Sequence, residues 1–226
     1  MSRRTAALRF VPLALLAVAL AGPPANAAPR RAVIKDTELA IAATDGAVQC
    51  MMKRNPGQVR AYLGTTPGSD AEDRIAAYLF RRMGECLTRA TFVRMNEAMA
   101  RGIAAERLLA IDFGSPAAAG PAAVGPDSFG PLSRPLDVDP EIGAGYSLAR
   151  CAVVNDSAAV AAVIAAPRGS AAETAAFRSL GPALRNCVVA GATLKTNRWT
   201  LRPFLAEALY QLYRARGGAS SSTGSL

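Results

Sequence analysis

Two cysteine pairs of equal spacing constrain this chain more than any other feature. Cys50 and Cys86 stand 36 positions apart, and so do Cys151 and Cys187. Adding 101 to a residue number carries the first pair onto the second, and the frame runs without a gap from 50 to 108, with 14 identities in 59 positions. The identities include Gly68-Ser69 with Glu72 against Gly169-Ser170 with Glu173, and Arg101 with Ala105-Glu106 against Arg202 with Ala206-Glu207. An alanine-rich chain yields scattered matches by accident, but not these motifs together in one frame. The pattern reads as one small module copied in tandem.

The start of the chain sets the compartment. Arg3, Arg4 and Arg9 precede an apolar run over 10–21, then Pro23-Pro24 and the small-x-small site Ala25-Asn26-Ala27. Residues 1–27 therefore read as a signal peptide for the general secretion route. The residues after Ser2-Arg3-Arg4 fit the twin-arginine pattern poorly. No cysteine follows the cleavage site to carry a lipid, and no later run is long enough to span a membrane. The mature protein is expected outside the cytoplasm, periplasmic or secreted. In an oxidising compartment four cysteines favour two disulfides. Of the three possible connectivities, the repeat selects Cys50 with Cys86 and Cys151 with Cys187. Each bridge would close a loop of about 37 residues, contributing roughly 3–4 kcal/mol by chain entropy.

Fold class follows from periodicity: all-α, two tandem disulfide-stapled helical units, possible partners in an internal pseudo-dimer. Unit 1 spans 36–111, a Gly/Pro-rich acidic linker 112–145, unit 2 146–216, and a disordered tail 217–226. In unit 1 a helix is expected over 36–53, with Ala40, Ile41, Ala47, Val48 and Met51 on one face; its counterpart starts near Ser147. A second helix begins at Asn55 or Asp156, each a good N-cap, and ends at Thr66-Pro67-Gly68 or Pro167-Arg168-Gly169. A third opens on a capping box, Ser69-x-x-Glu72 and Ser170-x-x-Glu173. Gly181-Pro182 should kink or break it in unit 2. After a short connector the last helix runs from 96 to 111 in unit 1, where Gly102 weakens it and Arg107 interrupts its apolar stripe. In unit 2 it carries Leu201, Phe204, Leu205, Ala208, Leu209 and Leu212, with Thr200 as cap.

Charge and missing residue types narrow the function. The formal charge is +9 and there is no histidine. Removing 1–27 takes away three arginines and leaves +6. Residues 146–216 hold nine Lys/Arg against three acids, whereas 109–145 hold one Arg against five. A basic exported domain suits an envelope protein or an anionic surface as partner; nucleic acid does not fit the compartment. Without histidine, Ser-His-Asp and Cys-His catalysis are excluded. No metal-ligand or acid-base cluster is visible and no cofactor is expected.

Two groups of residues stand out. Arg101 with Glu106, and Arg202 with Glu207, recur in both units and are expected as ion pairs inside each bundle. A grip on a ligand or a catalytic water is the other reading of them. Lys195, Arg198, Trp199 and Arg202 surround the only tryptophan, a pattern that suits sugar stacking or an anionic headgroup. Packing of the indole over helix ends is the alternative. The two spaced cysteines followed by Arg-x-x-x-Ala-Glu-Ala-Leu-Tyr, here Arg202 to Tyr210, resemble small exported proteins of unknown function from alphaproteobacteria. The resemblance covers both units and implies export and disulfide-linked helices, with no activity to carry over. The expected function is non-enzymatic binding of an envelope partner or anionic surface. The alternatives are an enzyme using Arg/Glu pairs and a purely structural envelope protein.

Overall fold

The computed structural model describes residues 32–33, 37–86, 91–92, 97–114, 129, 140–188 and 196–221. The expected signal peptide over 1–27, most of the acidic linker, Lys195 and the last five residues lie outside them. Among the described residues there are seven helices: α1 Thr37–Arg54, α2 Pro56–Leu63, α3 Asp70–Met83, α4 Glu97–Phe113, α5 Pro140–Ala165, α6 Ala171–Asn186 and α7 Arg198–Ser221. Two short strands, β1 Ala32–Val33 and β2 Thr91–Phe92, pair in parallel. The protein is all-α with two disulfides, Cys50–Cys86 and Cys151–Cys187. Both bridges are compatible with an oxidising compartment.

The described residues form one compact body, and apolar residues from both halves share one core. Val48, Leu63 and Leu109 meet Val160, Leu180 and Leu209 in it, all essentially inaccessible to solvent. The central contact is α4 against α7. It is unusually close, because a Cβ at Gly102 would fall inside the backbone of Pro203. These two residues are 101 apart, so the crossing sits where the two halves correspond. Gly102 weakens helix propensity, yet here it lets two backbones touch.

Positions 101 apart also share local geometry. Asn55 breaks the path between α1 and α2 with φ −139° and ψ 55°. Asp156 bends α5 with φ −156° and ψ 77°. Asp156 caps the following turn, its Oδ1 accepting from the Ala159 amide at 2.8 Å. Asn55 makes no such side-chain bond, and Pro56 alone presets the start of α2.

Several expectations need correction. The helix of the second half starts at Pro140 rather than near Ser147, and Gly143-Ala144-Gly145 lie within it. Gly145 serves packing, since a Cβ there would come within 2.7 Å of the Phe204 ring. Gly181-Pro182 does not break α6. Pro182 is exposed, so the carbonyl it leaves without an amide donor faces water. Asn197, not Thr200, caps α7: its Oδ1 accepts from the amides of Trp199 (2.9 Å) and Thr200 (3.1 Å). The α7 backbone continues through Gly217 and Gly218 to Ser221, because extending a formed helix adds a hydrogen bond per residue fixed.

Gly102→Ala separates two opposing effects. Alanine gains about 1 kcal/mol of helix propensity over glycine, but the added methyl must push α4 off α7, and overpacking costs about 1–3 kcal/mol or more. Net destabilisation is expected in denaturant unfolding. Gly46→Ala, where a Cβ meets nothing within 4 Å, should be neutral or stabilising. Reduction of both disulfides should lower stability by roughly 3–4 kcal/mol per bridge, read as a fall in melting temperature with added reductant.

Candidate functional site

The conspicuous polar feature is a pair of buried arginines at corresponding positions of α4 and α7. Each closes a helix end. Arg101 donates to the carbonyls of Tyr62 (2.9 Å) and Thr65 (3.0 Å), and to the Thr65 hydroxyl (2.9 Å). Arg202 donates to the carbonyls of Ile164 (2.9 Å) and Ala166 (3.0 Å). These carbonyls lie at or just beyond the C-termini of α2 and α5, where helices leave acceptors unpaired and favour a cation.

Each arginine also holds the glutamate of a capping box. Ser69 Oγ accepts from the Glu72 amide at 3.2 Å, and Ser170 Oγ from the Glu173 amide at 3.0 Å. The glutamates reach back one residue further than expected, to the amides of Gly68 and Gly169. Their other oxygens accept from Arg101 Nη1 (3.0 Å) and Arg202 Nη1 (2.7 Å). The capping box thus fixes a helix start and supplies the counter-ion of a buried guanidinium.

The third partner corrects the expected pairing. Arg101 does not pair with Glu106, nor Arg202 with Glu207. Residues five apart on one helix point to different sides, unlike those three or four apart. Instead Arg101 binds Glu207 Oε1 through Nε (2.7 Å) and Nη2 (2.6 Å). Arg202 binds Glu106 through Nη2 (2.8 Å) and Nε (3.2 Å). Each half lends its glutamate to the arginine of the other, so the exchange ties α4 to α7 from both sides of the Gly102–Pro203 contact.

The two ends of this exchange differ. Around Glu207 the site is sealed: Arg101 is 0% exposed, and the Tyr146 hydroxyl donates to Glu207 Oε2 at 3.0 Å. Phe204 packs edge-on against Tyr146 with ring centres 5.0 Å apart. Around Glu106 the site opens into a surface cleft of about 330 Å³ with Asp45, Glu106, Arg107, Arg168 and Arg202 on its walls. Arg168 supplies the extra donors to Glu106, through Nε (3.3 Å) and Nη2 (2.5 Å). Arg107 pairs with Asp45, Nε to Oδ1 at 2.8 Å. Positions 101 away from Asp45, Arg107 and Arg168 hold Tyr146, Ala208 and Pro67.

Proton affinities follow the burial. Burial alone would raise the Glu106 carboxyl, but hydrogen bonds from Arg202 and Arg168 outweigh it and hold the carboxyl below its usual value. Glu72 goes the other way: burial raises it, and Arg101, shared with Glu207, offsets this only in part. Burial would loosen the Arg101 proton, yet Glu207 and Glu72 keep the guanidinium charged and its pKa raised. Burial pushes the Tyr146 phenol well above its ordinary value.

The expected surface cluster around the tryptophan is divided. Arg202 is 3% exposed and turned inward, and Lys195 lies outside the described residues. Arg198 stays at the surface, donating to Thr174 Oγ1 at 3.0 Å with its guanidinium 4.9 Å from the Trp199 ring centre. The indole rests partly buried against the core, near the Gly169 turn. Sequence reasoning missed Asp45, Arg168 and Tyr146 as parts of the network and took Arg107 for an interruption. The available signal was charge that differs between corresponding positions. No protein-family model, characterised protein or solved structure matches the chain.

Breaking the exchange leaves charges buried. Arg101→Met should cost about 3–5 kcal/mol by stranding Glu72 and Glu207. A double-mutant cycle should couple Arg101 with Glu207 but return less than about 0.5 kcal/mol for Arg101 with Glu106. A depressed carboxyl contributes stability above its unfolded value of 4.5 and loses it as pH falls through the folded value. Glu106→Gln should therefore be less stable than wild type at neutral pH and converge on it in acid, as read by urea unfolding across pH.

Proposed function

We propose that this is an exported, non-enzymatic protein that binds an anionic partner of the cell envelope through its second half. One observation carries this reading. Arg178, Arg185 and Arg198 lie along one face with no carboxylate partner among the described residues. Arg178 and Arg185 are exposed on α6, seven residues apart and hence about 10 Å apart along one side. Arg198 is fixed to Thr174, one turn before Arg178. The three acids of 146–216 are engaged elsewhere: Glu173 and Glu207 are buried on the arginine network, and Asp156 caps a turn.

The protonation of Glu106 supports a binding role over acid-base catalysis. A general acid or base near neutral pH needs a pKa close to the working pH, and two guanidiniums drive Glu106 the opposite way. The purely structural reading is favoured by a separate observation: among the described residues, every buried side-chain nitrogen and oxygen has a hydrogen-bond partner.

Co-sedimentation of the mature protein with phosphatidylglycerol-containing and with phosphatidylcholine vesicles tests the binding reading. Binding to the first alone, falling with added salt, is expected. With about 1 kcal/mol per basic residue near an anionic surface, R178Q/R185Q/R198Q should weaken it by about two orders of magnitude without altering the thermal melt. Retention of the wild-type protein by an acidic envelope protein instead would move the partner from lipid to protein. Binding by neither, or binding that the triple variant leaves unchanged, removes the proposal in favour of the structural reading.

A further inference from the structure

The sealed and open ends of the arginine exchange form an internal comparison. At the sealed end the corresponding positions carry no formal charge: Tyr146 donates to Glu207, and positions 208 and 67 hold alanine and proline. The fold is therefore complete with one buried arginine, two glutamates and a phenol. At the open end the same positions carry Asp45, Arg107 and Arg168, and a cavity of about 330 Å³ remains. Two additional guanidiniums stand where the sealed end manages with none.

From this difference we infer that the cleft is a binding site for an oxyanion, a carboxylate or phosphate group on a small molecule, held between Arg107 and Arg168. Each of these arginines uses Nε and Nη2 on a protein carboxylate, Asp45 and Glu106 respectively. The Nη1 edge of each has no hydrogen-bond partner among the described residues. A guanidinium with one edge fixed keeps its plane, so the remaining N–H groups are oriented before a ligand arrives, and an oxyanion accepts from such edges with charge-assisted bonds. The side chains of Arg107 and Arg168 are 41% and 21% exposed, so they can be reached from solvent while anchored. The volume is at the low end for ligand pockets, and the 164–167 segment gives one apolar wall for a small aliphatic or aromatic body. This site is separate from the α6 face and does not depend on the reading above.

The test uses the mature chain, with inorganic phosphate and benzoate as probes and the arginine Nε–H signals as readout. Either probe should shift the Arg107 and Arg168 signals saturably and leave Arg101 in place. R107Q should weaken binding by roughly tenfold or more, as loss of a charge-assisted bond implies. Because Arg107 does not touch Glu106, the thermal melt should change little. D45N should weaken binding, because Arg107 loses the carboxylate that holds its plane. R178Q/R185Q/R198Q should leave small-anion binding intact, and R107Q/R168Q should leave vesicle binding intact if the oxyanion is a free molecule. Loss of vesicle binding in R107Q/R168Q alone would identify a lipid headgroup as its source. Absence of saturable shifts with both probes, or equal affinity in wild type and R107Q, overturns the proposal whatever the vesicle result.

Discussion

The reciprocal loan of a glutamate between α4 and α7 is the interaction on which the rest of this fold depends. A guanidinium removed from water is costly unless its donors are met and its charge is balanced. Arg101 meets that demand with a helix end, a capping glutamate and a glutamate from the other half, and Arg202 repeats the arrangement. The consequence is geometric. For each arginine to reach both carboxylates, α3 and α6 must start where they do, and α4 must lie against α7 at one register. Apolar burial supplies most of the driving force, but it is non-directional. The two buried guanidiniums give it an address.

Recurrence at an offset of 101 explains why much of the fold was legible in the sequence. Ser69 with Glu72 and Ser170 with Glu173 announce helix starts because the capping box is local chemistry. Leu201, Leu205 and Leu209 announce a buried face because helical periodicity is local geometry. The cysteine pairing followed from applying one spacing rule to both pairs.

What stayed hidden depends on residues distant in sequence, or on solvent. Glu106 and Glu207 look like partners for the nearest arginine in sequence, but residues five apart on a helix diverge, and only the α4–α7 crossing shows where each points. Pro182 reads as a break, yet solvent can satisfy the carbonyl it leaves free. Gly145 reads as a linker residue, yet it makes room for Phe204. Arg107 looks like a flaw in an apolar stripe, and its use emerges only beside Asp45, far away in sequence. In each case the surroundings decide what a local propensity becomes.

The contact of Gly102 with the backbone of Pro203 also gives the halves distinct identities. Two second halves brought together in the same way would set proline against proline where even a methyl group does not fit. Two first halves would meet glycine to glycine and lose the rigidity that the ring brings to one side. The crossing therefore excludes a pair of second halves. Having both on one polypeptide means that every molecule is made with the correct counterpart already attached.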